Sequence, residues 1–179
     1  MKLYYDRMAV SLHWLLAVAW VGLFAMGLYM SDLSFSPQQL KLYNWHKWAG
    51  MCVLALSVFR VVWRMTHPAP PLPNLAATPK WQRWAHSATH LVMYALFFAI
   101  PLLGWAYSSA AGFPIVWWGL WPLPDWVPVN SELADGLKLL HGLAAKALAL
   151  LVVLHVVAAL KHHSIDRDGL LRRMTWRGQ

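Results

Sequence analysis

Apolar residues gather into four long runs, near residues 9–30, 46–65, 84–107 and 136–160, with polar or proline-rich segments between them. As α-helices rising 1.5 Å per residue, these runs are long enough to cross a hydrocarbon core of about 30 Å. No small-residue cleavage site closes the first run, so it is expected to remain as a helix rather than leave as a signal peptide. Pro101 lies inside the third run and is expected to kink it. The segment THPAPPLPNLAATPKW, between runs two and three, is proline-rich and expected to be extended. Between runs three and four, Ser108 to Asn130 holds Trp117, Trp118, Trp121 and Trp126 among four prolines. Such aromatics suit a membrane surface better than open water. No internal repeat is evident. The expected architecture is all-α, a single domain over residues 1–179 built as an integral membrane four-helix bundle.

Composition agrees with a membrane class. Of 179 residues, 59% are hydrophobic and 12% charged, outside the soluble norm on both counts, and thirteen tryptophans with six tyrosines suit interfacial belts. Cys52 is the only cysteine and lies in an apolar run, so no intramolecular disulfide forms and no thiolate site is implied. The net charge of +8 is explained by topology, and no nucleic-acid partner is expected. Lys2 and Arg7 precede the first run, and Arg60, Arg64, Lys80 and Arg83 lie at or between the ends of the second and third. Lys161, Arg167, Arg172, Arg173 and Arg177 follow the fourth. Only Lys41, Lys47, Lys138 and Lys146 fall on the other side or within the fourth run. The positive-inside rule then places both termini in the cytoplasm. All seven acidic residues lie outside the apolar runs. That argues against an ion-coupled transporter or proton pump, which usually needs an intramembrane carboxylate.

Histidines carry the candidate chemistry. His141 and His155 are fourteen positions apart on the fourth run, about 21 Å of rise and about 1400° of rotation, so their rings share a face within about 40°. In the expected topology His13 lies one turn inside the cytoplasmic end of helix one, and His46 opens helix two at the outer face. The depths match as two pairs, His13 with His155 inside and His46 with His141 outside. A histidine in lipid without a partner is costly, whereas two neutral imidazoles on opposite sides of a haem iron give a low-spin electron-transfer centre. Four positions after each of these histidines stands a small residue, Ala17, Gly50, Ala145 or Ala159, leaving room on that face for a flat macrocycle.

Other polar residues of the runs have two readings each. His86 and His90 form an i, i+4 pair near the inner end of helix three. No carboxylate or cysteine is nearby to complete a zinc site, so they either approach the inner haem or a quinone headgroup, or face water. Arg60, fourteen residues after His46, is aimed at the inner haem and its propionates, or else snorkels to the interface as Arg64 is expected to. Lys146, a turn past His141, either pairs with an outer propionate or reaches the surface, and Lys47 has the same options. His67, His162 and His163 are expected to be solvated.

SLHWL around His13, WHKWAG around His46 and FRVVWRMTHPAPP after it form an ordered set with WAHSATHLVMYALFFAIPLLG, LKLLHGLAAKALALLVVLH and AALKHH. In this order and spacing, over nearly the whole length, the chain resembles the bacterial cytochrome b561 family of di-haem, four-helix membrane cytochromes. The resemblance implies two non-covalent b haems, in keeping with the absence of a C-x-x-C-H motif. It also implies the ligand pairs His13–His155 and His46–His141, and a place in the bacterial inner membrane. The expected function is electron transfer between a periplasmic-side partner, small molecule or protein, and a quinone. A small anionic donor such as superoxide would be attracted by Lys47, Lys138 and Lys146. The alternative is a haem-bearing anchor subunit of a separate dehydrogenase or hydrogenase, since the fold alone does not fix the partner. Short termini and a complete four-histidine set favour the stand-alone protein.

Overall fold

The computed structural model describes residues 4–71 and 79–176. Lys2, Arg177 and residues 72–78 of the proline-rich segment between runs two and three lie outside the described residues. Four long helices dominate, α1 (Arg7–Ser31), α2 (Pro37–Thr66), α3 (Lys80–Ala110) and α4 (Ser131–Lys161). Each is apolar and long enough to cross a membrane. A short π-helical turn (His162–Asp166) and a 3₁₀ turn (Leu171–Met174) follow α4.

Every helix is longer than its apolar run. The largest difference is in α2, which begins at Pro37, so that His46 lies well inside the helix rather than opening it. Hydropathy marks the part of a helix that meets lipid, while capping chemistry marks where the helix begins. Ser36 caps α2 by accepting from the Gln39 backbone N–H at 3.2 Å, with Pro37 at the first helical position. Asn130 does the same for α4 through Leu133 at 2.9 Å, and Asp6 for α1 through Ala9 at 2.9 Å. Helices of 25 to 31 residues are about 37–46 Å long, so their polar end turns extend beyond a hydrocarbon core of about 30 Å.

Consecutive helices pack side by side, α1 on α2, α2 on α3 and α3 on α4. Little of the apolar surface is consumed in that packing. Val10 and Leu148 are fully buried, yet only 6% of the residues in the most apolar stretch of α4 are fully buried. Helices apolar on nearly all sides require an apolar solvent, which the bilayer provides. The tail folds back onto α1, with the Trp14 indole donating to the Met174 carbonyl at 2.9 Å and the Trp176 indole to Ser11 Oγ at 3.3 Å. Both described ends of the chain therefore share one end of the bundle, called here the termini end.

At the opposite end, the tryptophan-rich connection between α3 and α4 forms a small antiparallel hairpin. Strand β1 (Val116–Trp117) pairs with β2 (Trp121–Pro122), Val116 opposite Pro122. Trp118 and Gly119 both turn at positive φ, 55° and 72°, and the Leu120 N–H closes the turn on the Trp117 carbonyl at 3.1 Å. Two consecutive left-handed residues make a tight hairpin turn whose twist matches the strands.

Candidate functional site

The fold brings the four singled-out histidines together as two pairs. His13 of α1 and His155 of α4 meet near the termini end, ring centres 6.4 Å apart. His46 of α2 and His141 of α4 meet toward the hairpin end, ring centres 6.2 Å apart. The pairs follow each other along α4 at about 21 Å, the rise of fourteen residues. Both spacings lie within the range of an ordinary edge-on aromatic contact. They also come within about 0.1 Å of the spacing of two imidazoles across one metal ion, because metal–nitrogen distances of about 2.0–2.1 Å put the ring centres about 6.3–6.5 Å apart. Nitrogen chemistry separates the readings. Nδ1 of His46 is buried without a hydrogen-bond partner, and an aromatic contact alone does nothing for an imidazole's polar atoms in lipid.

The hairpin-end pair is seated on glycines. A Cβ on Gly104 of α3 would stand 3.1 Å from Cε1 and 3.3 Å from Nδ1 of His141. A Cβ on Gly27 of α1 would stand 3.4 Å from Cε1 of His46. One turn before Gly104, the Ile100 carbonyl accepts a hydrogen bond from Nδ1 of His141 at 2.9 Å. A carbonyl only accepts, so Nδ1 carries the proton and neutral His141 keeps its Nε2 lone pair for a metal. Such outer partners fix the tautomer and orientation of metal-binding histidines. The sequence pattern points to the small residues four positions after each histidine and to neither glycine, because the contacts of Gly27 and Gly104 cross from one helix to another. The available signal was a glycine inside a helical pattern, costing about 1 kcal/mol against alanine and so asking for a packing reason.

The termini-end pair sits among polar groups. Nη2 of Arg60 lies 3.3 Å from Nδ1 of His13, while its Nε donates to the Tyr94 hydroxyl at 3.2 Å. Arg60 thus reaches the expected end of the bundle, but it rests on the His13 ring itself, and its buried Nη1 has no partner. A guanidinium only donates, so His13 Nδ1 must be unprotonated in this contact, the opposite tautomer from His141. The ring of His90 stands edge-on to His155 at 5.4 Å, and the His86 ring is 4.3 Å from His90. His90 is half-buried against the pair, whereas His86 is exposed.

Two further placements differ from expectation. His67 is not simply solvated, because its ring stacks on Trp63 at 4.1 Å and its Nδ1 lies 2.9 Å from the Thr66 hydroxyl. His162 is half-buried, with Nδ1 2.6 Å from Asp168 and 3.1 Å from Asp166. Both escape sequence reading because their partners are set by how a helix end and the tail turn. His163 is exposed as expected. Lys138 and Lys146 are exposed on α4, while Lys47 donates to the carbonyls of Phe113 and Pro114 at 3.2 and 3.4 Å.

A four-helix membrane bundle with paired imidazoles at two depths is an arrangement whose side chains could hold metal centres between the helices. The chain belongs to the prokaryotic cytochrome b561 family, whose model matches residues 4–177. It is 37% identical over 172 residues to cytochrome b561 homolog 2 of Escherichia coli K12, covering 95% of this chain and 90% of the relative. It is 30% identical over 174 residues to a probable superoxide oxidase of Yersinia pestis, covering 95% and 94%. Cytochrome b561 homolog 1 of E. coli K12 is 29% identical over 174 residues, covering 95% and 96%. This is therefore a membrane electron-transfer protein, and its family implies a b-type haem.

Proposed function

We propose that the chain is a di-haem b-type cytochrome carrying electrons between a donor at the hairpin end and a quinone at the termini end. The observation that carries this reading is the presence of two imidazole pairs, with ring centres 6.4 and 6.2 Å apart, at two depths of an apolar bundle. His13 and His155 would hold one haem, and His46 and His141 the other. Bound haem supplies one-electron iron chemistry, with a potential tuned by ligation, hydrogen bonding and burial. The protein's own residues set those terms. The Ile100 carbonyl holds His141 in the ligating tautomer, and Gly104 leaves room for its ring. At His13 that tautomer would require Arg60 to release Nδ1, leaving the guanidinium for an anionic group such as a propionate.

By the charge distribution, the termini end faces the cytoplasm and the hairpin end the periplasm. His90, beside His155, and His86, at the surface, are suited to meeting a quinone headgroup, since imidazole both donates and accepts hydrogen bonds. The name of the Yersinia relative supports superoxide as the donor. In that reaction two superoxide anions become two dioxygen molecules, and their two electrons with two protons reduce one quinone to quinol. Lys138 and Lys146, exposed on α4, are the cations suited to attract the anion, while Lys47 is engaged with the hairpin backbone.

The test is a reduced-minus-oxidised visible spectrum of the purified protein with a pyridine haemochrome count. Two b haems per chain with a narrow low-spin α-band are expected. One haem would reduce one histidine pair to a structural role, and none would remove the reading. Replacing Lys138 and Lys146 by glutamine should weaken the salt dependence of reduction by superoxide; an unchanged salt dependence would remove the steering role.

A further inference from the structure

The tryptophan hairpin at the end of α3 is a built element with an unusual surface. Ser108 of α3 hydrogen-bonds the Phe113 carbonyl, and the Leu123 N–H donates to the carbonyl of buried Ile115 at 2.8 Å. Two side chains of α2 clasp it from the other side. Lys47 takes two of its carbonyls, and the Trp48 indole donates to the Val116 carbonyl at 2.7 Å, while the Trp48 ring stacks on Trp118 at 5.6 Å. Trp118 holds its left-handed backbone within that clasp. What the hairpin turns outward is apolar, with Leu120 71%, Phe113 64%, Trp121 60% and Val129 74% exposed.

We propose that this hairpin lies in the bilayer interface as a lipid-seated wedge beside the hairpin-end histidine pair, and is not a docking face for a soluble protein. Three observations carry the inference, and none depends on haem. First, the clasp fixes its depth. Lys47 and Trp48 directly follow His46, whereas the polar first turn of α2, with Gln38 exposed, stands about 13 Å further out along the helix axis. The hairpin therefore sits inside the polar helix ends and beside the last apolar turns, the level of a headgroup layer. Second, its chemistry lacks the rim of a protein interface. From Gly112 to Val129 the only charged residue is Asp125, and there is no serine, threonine, asparagine or glutamine. Protein-binding patches are rimmed by polar groups, while tryptophan with aliphatic residues is the composition of membrane interfaces. Third, the same end of the bundle carries other apolar side chains turned outward, including exposed Leu139 and Leu143 of α4.

The experiment uses the haem-loaded full chain in lipid nanodiscs, with a lipid-borne diazirine photolabel placed at the headgroup–acyl boundary and adducts read by mass spectrometry. Phe113, Leu120 and Trp121 are expected to carry adducts at levels comparable to Leu139 and Leu143, exposed at the same end of α4. Adducts on α4 with none on the hairpin would overturn the proposal. A second measurement follows alkylation by a charged maleimide in a Cys52→Ala background. Leu120→Cys should react severalfold more slowly than Gln38→Cys, and equal rates would place the hairpin in water. Protection from both reagents would also overturn the proposal, by indicating a protein partner or a second copy of the chain over the patch.

Discussion

Gly104 shows how a single missing methyl group shapes the site. Alanine there would gain about 1 kcal/mol of helix propensity, but its Cβ would stand 3.1 Å from the His141 ring. At Gly22 nothing lies within 4 Å, so the same substitution keeps the gain. Gly104→Ala is therefore expected to shift the low-temperature EPR g-values of one haem and leave the other unchanged, with Gly22→Ala silent. Identical spectra for all three proteins would show that the glycine does not position the ring. Asp6 offers a pH test outside the membrane spans. Partial burial pushes its carboxyl up, but hydrogen bonds from the Ala9 backbone and the Trp63 indole outweigh this and hold it below the ordinary value of 3.8. A lowered folded pKa contributes stability that is present above 3.8 and lost as pH falls below it through the folded value. The melting temperature of the native protein should thus drop more steeply below about pH 4 than that of Asp6→Asn. Parallel curves would mean these hydrogen bonds contribute no pH-dependent stability.

The helices and the hairpin are tied together at α2. Its first turns are polar, extend beyond the apolar run, and depend on local capping. Removing the cap with Ser36→Ala should cost about 1 kcal/mol, seen as several-fold faster hydrogen exchange of the Gln39 and Leu40 amides, with α4 unaffected. About two turns beyond Leu40, Lys47 gives its ammonium to two hairpin carbonyls at 3.2 and 3.4 Å. Lys47→Met keeps the apolar stem and removes those donors. It should raise protease cleavage between Phe113 and Leu123 without loss of haem, and an unchanged cleavage pattern would show that Trp48 suffices as the clasp. The β-hairpin was not legible beforehand as strands, because prolines and tryptophans in a short loop carry no alternating pattern. Its turn chemistry was present in Trp118-Gly119, where glycine supplies one of the two positive φ values.

Across the bundle the two histidine pairs have different surroundings, glycine and a backbone carbonyl at one, arginine and further histidines at the other. Replacing His46 or His141 by alanine should remove the hairpin-end haem and leave the other, and replacing His13 or His155 should do the reverse. Loss of both haems from every variant would mean that the sites fold as one unit. His90→Ala, which touches His155 at the termini end, is expected to impair quinone reduction more than haem reduction by an external donor. Equal impairment would detach His90 from the quinone. Four membrane helices followed from the amino-acid order alone, because hydrocarbon thickness demands long apolar runs and lipid admits few other backbones. So did the pairing of histidines by depth, since helical rise converts residue number directly into depth. The seat of Gly27, Gly104 and the Ile100 carbonyl, the tautomers it selects, and the hairpin clasped by Lys47 and Trp48 became visible only in the folded chain. Those contacts join residues far apart in sequence, and their distances depend on how helices rotate and lean on one another, which periodicity along one helix does not specify.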